Sequence, residues 1–97
     1  MKLVWTRTAI RDLAEIRDYI ARDNPSAAGK MAERILEASE RLGSQPEMGR
    51  EGRAPATREL IIAGTDYLII YRIRKKKLEL LRVLHGKQFW PSSVRSK

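Results

Sequence analysis

The sequence predicts a small α+β domain in which a helical hairpin packs on one face of a mainly antiparallel sheet. Two apolar stripes of helical period occupy the first half of the chain, and three β-rich segments separated by short turns occupy the second half. The 97 residues are enough for one hydrophobic core and too few for two. We therefore expect a single domain over 1–97, with a polar C-terminal tail over 86–97.

The predicted order of elements is β-α-α-β-β-β, and its first part is a strand followed by two helices. Lys2–Trp5 is β-branched and aromatic, and Thr6 is placed to cap a helix over 7–23. Pro25 begins the second helix, because proline suits the first helical position, and Gly43 is the expected stop. The short connection between the helices predicts an antiparallel hairpin.

The remainder of the chain predicts one long loop and a three-stranded meander. Two prolines and two glycines over 44–56 indicate that this segment has no regular structure. Strands are predicted over 58–63, 67–74 and 77–84, and the short turns favour antiparallel pairing. The middle strand is apolar on both faces, which is typical of a central strand. By alternation, Tyr67 and Tyr71 share one of its faces with Ile69 and Ile73. We expect both tyrosines to be core residues.

Composition narrows the classes of function. The chain has no cysteine and one histidine, which excludes disulfides and thiolate chemistry and disfavours a structural zinc site. The sequence contains neither an apolar run of membrane length nor a signal-peptide core, so we expect a cytoplasmic protein without membrane contact. The net charge of +8 suits a polyanionic partner such as DNA, RNA, a ribosome or an acidic protein segment, and an ordinary solvated basic surface is the alternative.

Three stretches, taken together, resemble the RelE/ParE superfamily of toxins. They are AIRDL and IRDYI at 9–13 and 16–20, REL and YLIIYRI at 58–60 and 67–73, and, most specifically, LRVLHG at 81–86. The likeness extends over about residues 2–91. It implies the toxin of a bacterial type II toxin–antitoxin pair, neutralised in a hetero-oligomer by a cognate antitoxin with an acidic segment. It also implies that no metal and no organic cofactor take part.

The resemblance leaves two mechanisms open. RelE-like members cut mRNA on the ribosome, whereas ParE-like members interfere with DNA gyrase and have no established chemistry of their own. Metal-free RNA cleavage needs a base, an acid and cations that stabilise the developing charge. RelE-like nucleases use Lys and Arg for this on the middle strands, where the corresponding residues here are Glu59, Ile61 and Leu68. The resemblance therefore favours a ParE-like toxin directed at DNA gyrase. A metal-independent, ribosome-dependent mRNA endoribonuclease and a non-toxic degenerate binding module are the alternatives.

Three residues are catalytic candidates if the chain is a nuclease. His85 belongs to the residue type that exchanges protons most readily near neutral pH. Some nuclease members of the superfamily carry a histidine near this point, usually before an aromatic residue where this chain has glycine. Arg82 can bind phosphate, or pair on the sheet face with Glu79 or Glu59. Arg58 can also bind phosphate, or it can protect a sheet edge.

Target-binding candidates occur in three places. A basic hairpin tip would contact phosphates by position and charge, and two arginines lie in the long loop. Two aromatic residues of the tail can stack on a base, pack back on the domain or anchor a partner. For each group an ordinary surface or packing role is the alternative. The candidates are Arg72, Arg74, Lys75, Lys76 and Lys77 of the tip, Arg50 and Arg53 of the loop, and Phe89 and Trp90 of the tail.

Overall fold

Two helices packed against one face of a five-stranded sheet form the fold in the computed structural model, which describes residues 1–87. The elements are β1 (Lys2–Trp5), α1 (Arg7–Ala21), α2 (Pro25–Ser44), β2 (Arg50–Glu51), β3 (Arg58–Ile61), β4 (Tyr67–Arg74) and β5 (Lys77–His85). The strand order is β1-β5-β4-β3-β2. β1 is parallel to β5, and every other neighbouring pair is antiparallel. The predicted α+β class is confirmed.

Both helices begin at the predicted residues because a side chain caps each of them. The Thr6 hydroxyl accepts a hydrogen bond from the Ala9 amide at 3.2 Å, and Asn24 Oδ1 accepts one from the Ala27 amide at 3.1 Å. Pro25 occupies the first turn of α2, as predicted. The first helix ends at Ala21, two residues before its predicted end.

The second helix continues through Gly43, so the prediction that this glycine stops the helix was wrong. Pro46 provides the physical reason for the stop, because proline disfavours the helical conformation of the residue before it. Accordingly, Gln45 is the C-cap and has a non-helical backbone, with φ −133° and ψ 71°. Gly43 instead serves a tertiary contact, in which its carbonyl accepts a hydrogen bond from the Met1 amino group at 3.0 Å.

The predicted loop over 44–56 contains a short strand, which corrects the expectation of no regular structure. Arg50 and Glu51 form β2 and pair with Glu59 and Arg58 of β3. The prolines and glycines of this segment flank the two paired residues and therefore do not remove their hydrogen bonds. The next strand is shorter than predicted and ends at Ile61, since the following residues form a turn.

The central strand β4 contributes to a core on each face of the sheet, as predicted. Ile69 and Tyr71 pack with apolar residues of both helices, whereas Leu68 and Ile70 pack on the opposite face with Ala54 and Leu84. Tyr67 packs at the edge of the helical core. Ile73 lies on the same face but is 39% exposed. β3 pairs with β4 only as far as Tyr71, which leaves Ile73 without a neighbouring strand on that side.

A β-bulge interrupts β5 at the point where it leaves β1. The register passes from Ile70 opposite Arg82 to Tyr71 opposite Leu80, so Leu81 is the additional residue. The bulge shifts the alternation of β5: Leu80 packs in the helical core before it, and Val83 does so after it. The bulge thereby sets the position of Arg82, one of the three catalytic candidates.

Candidate functional site

The turn between β4 and β5 gathers exposed cations at one end of the sheet. Lys75 and Lys76 form the two-residue turn, Arg74 lies opposite Lys77, and the parallel pairing of β1 places Lys2 beside Lys77. All five residues are exposed, and we call them the basic edge. Residues directly opposite one another share a face of the sheet, so Lys2, Lys77 and Arg74 form a row across three strands.

Glu79 partly neutralises the neighbouring arginines. Arg72 Nε donates a hydrogen bond to Glu79 Oε1, and Arg74 Nη2 lies 3.7 Å from Glu79 Oε2. The hydrogen bond from Arg72 is the main cause of the lowered pKa of Glu79, which is therefore ionised at neutral pH. Two of the five predicted target-binding residues in the tip thus pair with Glu79: Arg72 through a hydrogen bond, and the more exposed Arg74 through a longer ion pair.

The loop arginines converge on a buried carboxylate. Glu59 Oε2 accepts hydrogen bonds from the backbone amide and Nε of Arg53, and Oε1 accepts one from Arg50 Nη2 at 3.2 Å. The Glu59 side chain is only 1% exposed. Burial raises the pKa of Glu59, but the hydrogen bonds from Arg53 and Arg50 outweigh this effect, and the pKa lies below 4.5. Glu59 therefore holds the β2 segment against β3 as a buried, ionised anchor.

Arg58 and Tyr71 fasten the start of the same segment. Arg58 Nη1 donates to the Gly49 carbonyl at 2.7 Å, and the Gly49 amide donates to the Tyr71 hydroxyl at 2.9 Å. The Tyr71 hydroxyl in turn donates to the Pro46 carbonyl at 2.8 Å. Burial raises the pKa of Tyr71 above 10.0, so its phenol stays protonated. These contacts give Arg58 a structural role. Its catalytic role stays a prediction.

Arg82 pairs with a carboxylate of α1 and not with Glu79 or Glu59, the two partners suggested by the sequence. Asp12 Oδ2 accepts hydrogen bonds from Arg82 Nε at 2.8 Å and from the Val83 amide at 2.9 Å, and Oδ1 accepts one from Arg82 Nη2 at 3.0 Å. The Asp12 hydrogen bonds raise the pKa of Arg82, so the guanidinium stays charged and cannot act as a base. Asp12 thus joins α1 to the bulged part of β5.

His85 ends β5 at the mouth of a cleft of about 360 Å³ between α1 and the sheet. Its Nδ1 accepts the Lys87 amide hydrogen at 3.1 Å, so the neutral ring carries its own hydrogen on Nε2. Nε2 lies 3.7 Å from Asp66 Oδ2, and the ring contacts Tyr67 edge-on, with centroids 5.3 Å apart. Burial raises the pKa of Tyr67 above 10.0, and the nearby Tyr19 and Asp66 reinforce this effect. Tyr67 is therefore a hydrogen-bond donor at neutral pH.

The structure does not bring the three catalytic candidates into one site. Arg58 lies opposite Tyr71 in the middle of β4, and His85 lies opposite Tyr67, the first residue of the same strand. Four residues of strand separate these positions, which corresponds to roughly 13 Å. Arg82 is engaged by Asp12. A general base, a general acid and a cation that share one phosphate need much shorter separations.

The structure places two carboxylates and one lysine beside the candidates, and the sequence did not predict these contacts. Asp12 follows Ala9 by three residues, so it adjoins the apolar stripe of α1, and its position was the available signal for a buried acid. Glu59 was considered as a partner of Arg82, but the structure pairs it with the two loop arginines. Lys2 joins the basic edge through a parallel pairing that no local pattern announces. Phe89 and Trp90 lie outside the described residues.

Two further properties of residues 1–87 bear on the class of site. No group of three or more His, Asp or Glu side chains in this range is placed to hold a metal ion. Neither of the two helices in this range is long and apolar enough to cross a membrane. The described residues therefore offer three features to a partner or substrate: the basic edge, the β2 segment held by Glu59, and the cleft beside His85.

Comparison with known proteins identifies the class of protein that has this fold and these surfaces. The model of the ParE toxin of type II toxin–antitoxin systems, parDE, matches residues 3–90. The chain is 43% identical over 90 residues to the putative toxin Y4kP of Sinorhizobium fredii, covering 93% of each chain. It is 38% identical over 85 residues to the toxin RelE2 of Caulobacter vibrioides, covering 88% of this chain and 94% of that protein.

Two solved structures agree with this assignment. A chain of the chromosomal ParDE toxin–antitoxin system from P. aeruginosa superposes with a TM-score of 0.79 at 30% identity, covering 88% of this chain and 95% of that one. A chain of the toxin–antitoxin complex RelBE2 from Mycobacterium tuberculosis superposes with a TM-score of 0.65 at 26% identity, covering 87% and 95%. The protein is a toxin of a type II toxin–antitoxin system. It belongs to the ParE toxin family, within the RelE/ParE superfamily.

Proposed function

We propose that this toxin inhibits growth by binding and poisoning DNA gyrase, without chemistry of its own. The observation that carries the proposal is the state of Glu59. At a position where RelE-like nucleases use a cation, this chain buries a carboxylate that neutralises Arg50 and Arg53. The other two such positions are aliphatic, Ile61 and Leu68. The middle-strand positions that supply cations in RelE-like nucleases therefore carry no cation in this chain.

A cognate antitoxin completes the proposed function. Both solved relatives described above are toxin–antitoxin assemblies. The net charge of +8 favours an antitoxin whose acidic segment crosses the basic surface of the toxin. On this proposal the association weakens as salt is added, since exposed charges are screened within about 8 Å at 0.15 M ionic strength.

The proposal is tested by assaying gyrase directly. The purified chain is added to DNA gyrase and relaxed plasmid, and supercoiling and cleaved-plasmid accumulation are followed with and without the antitoxin. We expect inhibition that the antitoxin reverses and that a His85→Ala variant retains in full. In cells, induction without antitoxin is expected to raise DNA damage signalling while mRNA stays intact. Uninhibited supercoiling together with early mRNA cleavage would overturn the proposal.

The alternative, a ribosome-dependent endoribonuclease, is favoured by one observation. His85 is 33% exposed and faces a cleft shared with two tyrosines, Tyr19 and Tyr67, where an RNA base could stack. The similar protein from Caulobacter vibrioides carries the name RelE2. If the chain is a nuclease, translated mRNA is cut on induction, and His85→Ala abolishes the cutting while the variant keeps the unfolding midpoint of the parent chain.

A further inference from the structure

We infer that the basic edge is a binding site for the phosphodiester backbone of duplex DNA, so that the toxin itself holds DNA independently of sequence. Two features of the fold, independent of each other, support this site. The first is the register of the sheet, and the second is the backbone conformation of the turn. In both cases the chain has cationic residues at positions where other residues would stabilise the fold more.

The register places like charges directly opposite one another. Lys2 lies opposite Lys77 across the parallel pair, and Lys77 lies opposite Arg74 across the hairpin. Such like-charged cross-strand pairs destabilise a sheet. Glu79, near Arg74, relieves part of this repulsion. The chain keeps three cations side by side where alternating charges would have strengthened the same pairing.

The turn conformation is unfavourable for the residues that occupy it. Lys75 and Lys76 have φ of 53° and 63°, so both are in the left-handed region. A two-residue hairpin turn with this backbone favours Asn-Gly or a similar pair, because glycine carries no Cβ penalty there. Two lysines are thus retained at positions where Asn and Gly would be less strained. Strained backbone conformations cluster at functional sites, and we count this turn as such a case.

The spacing and chemistry of the basic edge match a phosphate backbone. Adjacent strands lie about 4.8 Å apart, so the row from Lys2 to Arg74 spans roughly 10 Å. Four successive phosphates of one DNA strand span a similar length along the helix axis, because each of the three steps between them rises about 3.4 Å. Four of the five cations are lysines, which act as flexible point charges, and lysine binds phosphate in this way.

The experiment measures binding of the full chain to a labelled 20-bp DNA duplex by fluorescence anisotropy between 50 and 200 mM salt. If all five cations meet phosphates, the plot of log affinity against log salt has a slope of about −4.5. Lys75→Asn with Lys76→Gly keeps the turn and should reduce the slope by about 1.8. The same variant should unfold at a higher temperature than the parent, which shows that weaker binding is not caused by misfolding.

The control removes the same charge elsewhere. Arg17→Gln with Lys30→Gln takes two exposed cations from the helices and is expected to leave the slope unchanged. An equal loss in both double variants would overturn the site, because net charge alone would then explain binding. Binding to duplex RNA alone, or tighter binding to polyglutamate than to DNA at equal salt, would also overturn it. The assay contains no gyrase, so its outcome is separate from that of the gyrase proposal.

Discussion

Replacing Asp12 by Ala tests whether Arg82 is a structural residue. The Asp12 carboxylate is 8% exposed and accepts three hydrogen bonds, two from Arg82 and one from the Val83 amide. Breaking a buried ion pair costs about 3–5 kcal/mol, and a buried amide that loses its acceptor costs about 1–3 kcal/mol. Because Arg82 is 19% exposed and water can solvate part of its charge, we expect a total loss of about 3 kcal/mol, which is less than the sum of the two lower limits.

The measurement is urea unfolding followed by far-UV circular dichroism. With m on the order of 1 kcal/mol/M for a chain of this size, the midpoint of Asp12→Ala should fall by about 3 M at unchanged m. Asp12→Asn keeps an acceptor for the Val83 amide and should lose roughly half as much. Asp18→Ala, an exposed position on the same helix, is the matched control and should stay within about 0.5 kcal/mol.

A double-mutant cycle decides whether the loss comes from the pair. Combining Asp12→Ala with Arg82→Met removes both charges, so the double variant should cost about 2 kcal/mol less than the sum of the single variants. The loss of unfolding free energy that remains in the double variant comes from the Val83 amide, which has lost its acceptor. Strictly additive losses would refute the argument, because Asp12 and Arg82 would then act independently. A folded double variant that retains toxicity would also remove Arg82 from the catalytic candidates.

Three further predictions concern the segment over 46–59, which Glu59 and Tyr71 hold against the sheet. Because the folded-state pKa of Glu59 is lowered, its stabilisation is present above about pH 4.5 and declines as the pH falls through the lower, folded value. Unfolding midpoints between pH 7 and pH 3 should therefore depend less on pH in Glu59→Gln, and an unchanged profile would contradict this assignment. Tyr71→Phe removes a hydroxyl that bridges Gly49 and Pro46. The free energy of unfolding, measured in urea, should fall by about 1–3 kcal/mol. A change near zero would mean that this bridge does not stabilise the fold. In Gly49→Ala the new Cβ would lie 2.6 Å from the Tyr71 hydroxyl, so the thermal midpoint of unfolding should drop. In the control Gly29→Ala the new Cβ meets nothing within 4 Å, so the free energy of unfolding should rise by about 0.5–1 kcal/mol. Equal effects at the two glycines would be inconsistent with this packing.

The family resemblance and the structure agree most closely where local patterns dominate. The caps at Thr6 and Asn24 follow from residue types that satisfy the backbone within a few positions. The same local signals misplaced the end of α2, because Gly43 was favoured as a stop when Pro46 exerts the stronger restriction. These signals also did not predict β2, because a strand of two residues is too short to show an alternating pattern.

The candidate site divides in the same way. Sequence alone predicted the basic tip and the loop arginines as target-binding candidates and His85 as a catalytic candidate, because charge and residue type are local properties. Only the tertiary structure showed that Glu59 holds both loop arginines, that Asp12 holds Arg82 and that Lys2 joins the basic edge. These contacts join residues as far apart as 75 positions, from Lys2 to Lys77. Their partners are chosen by the packing of α1, β1 and β5 around one core, which no short stretch of sequence encodes.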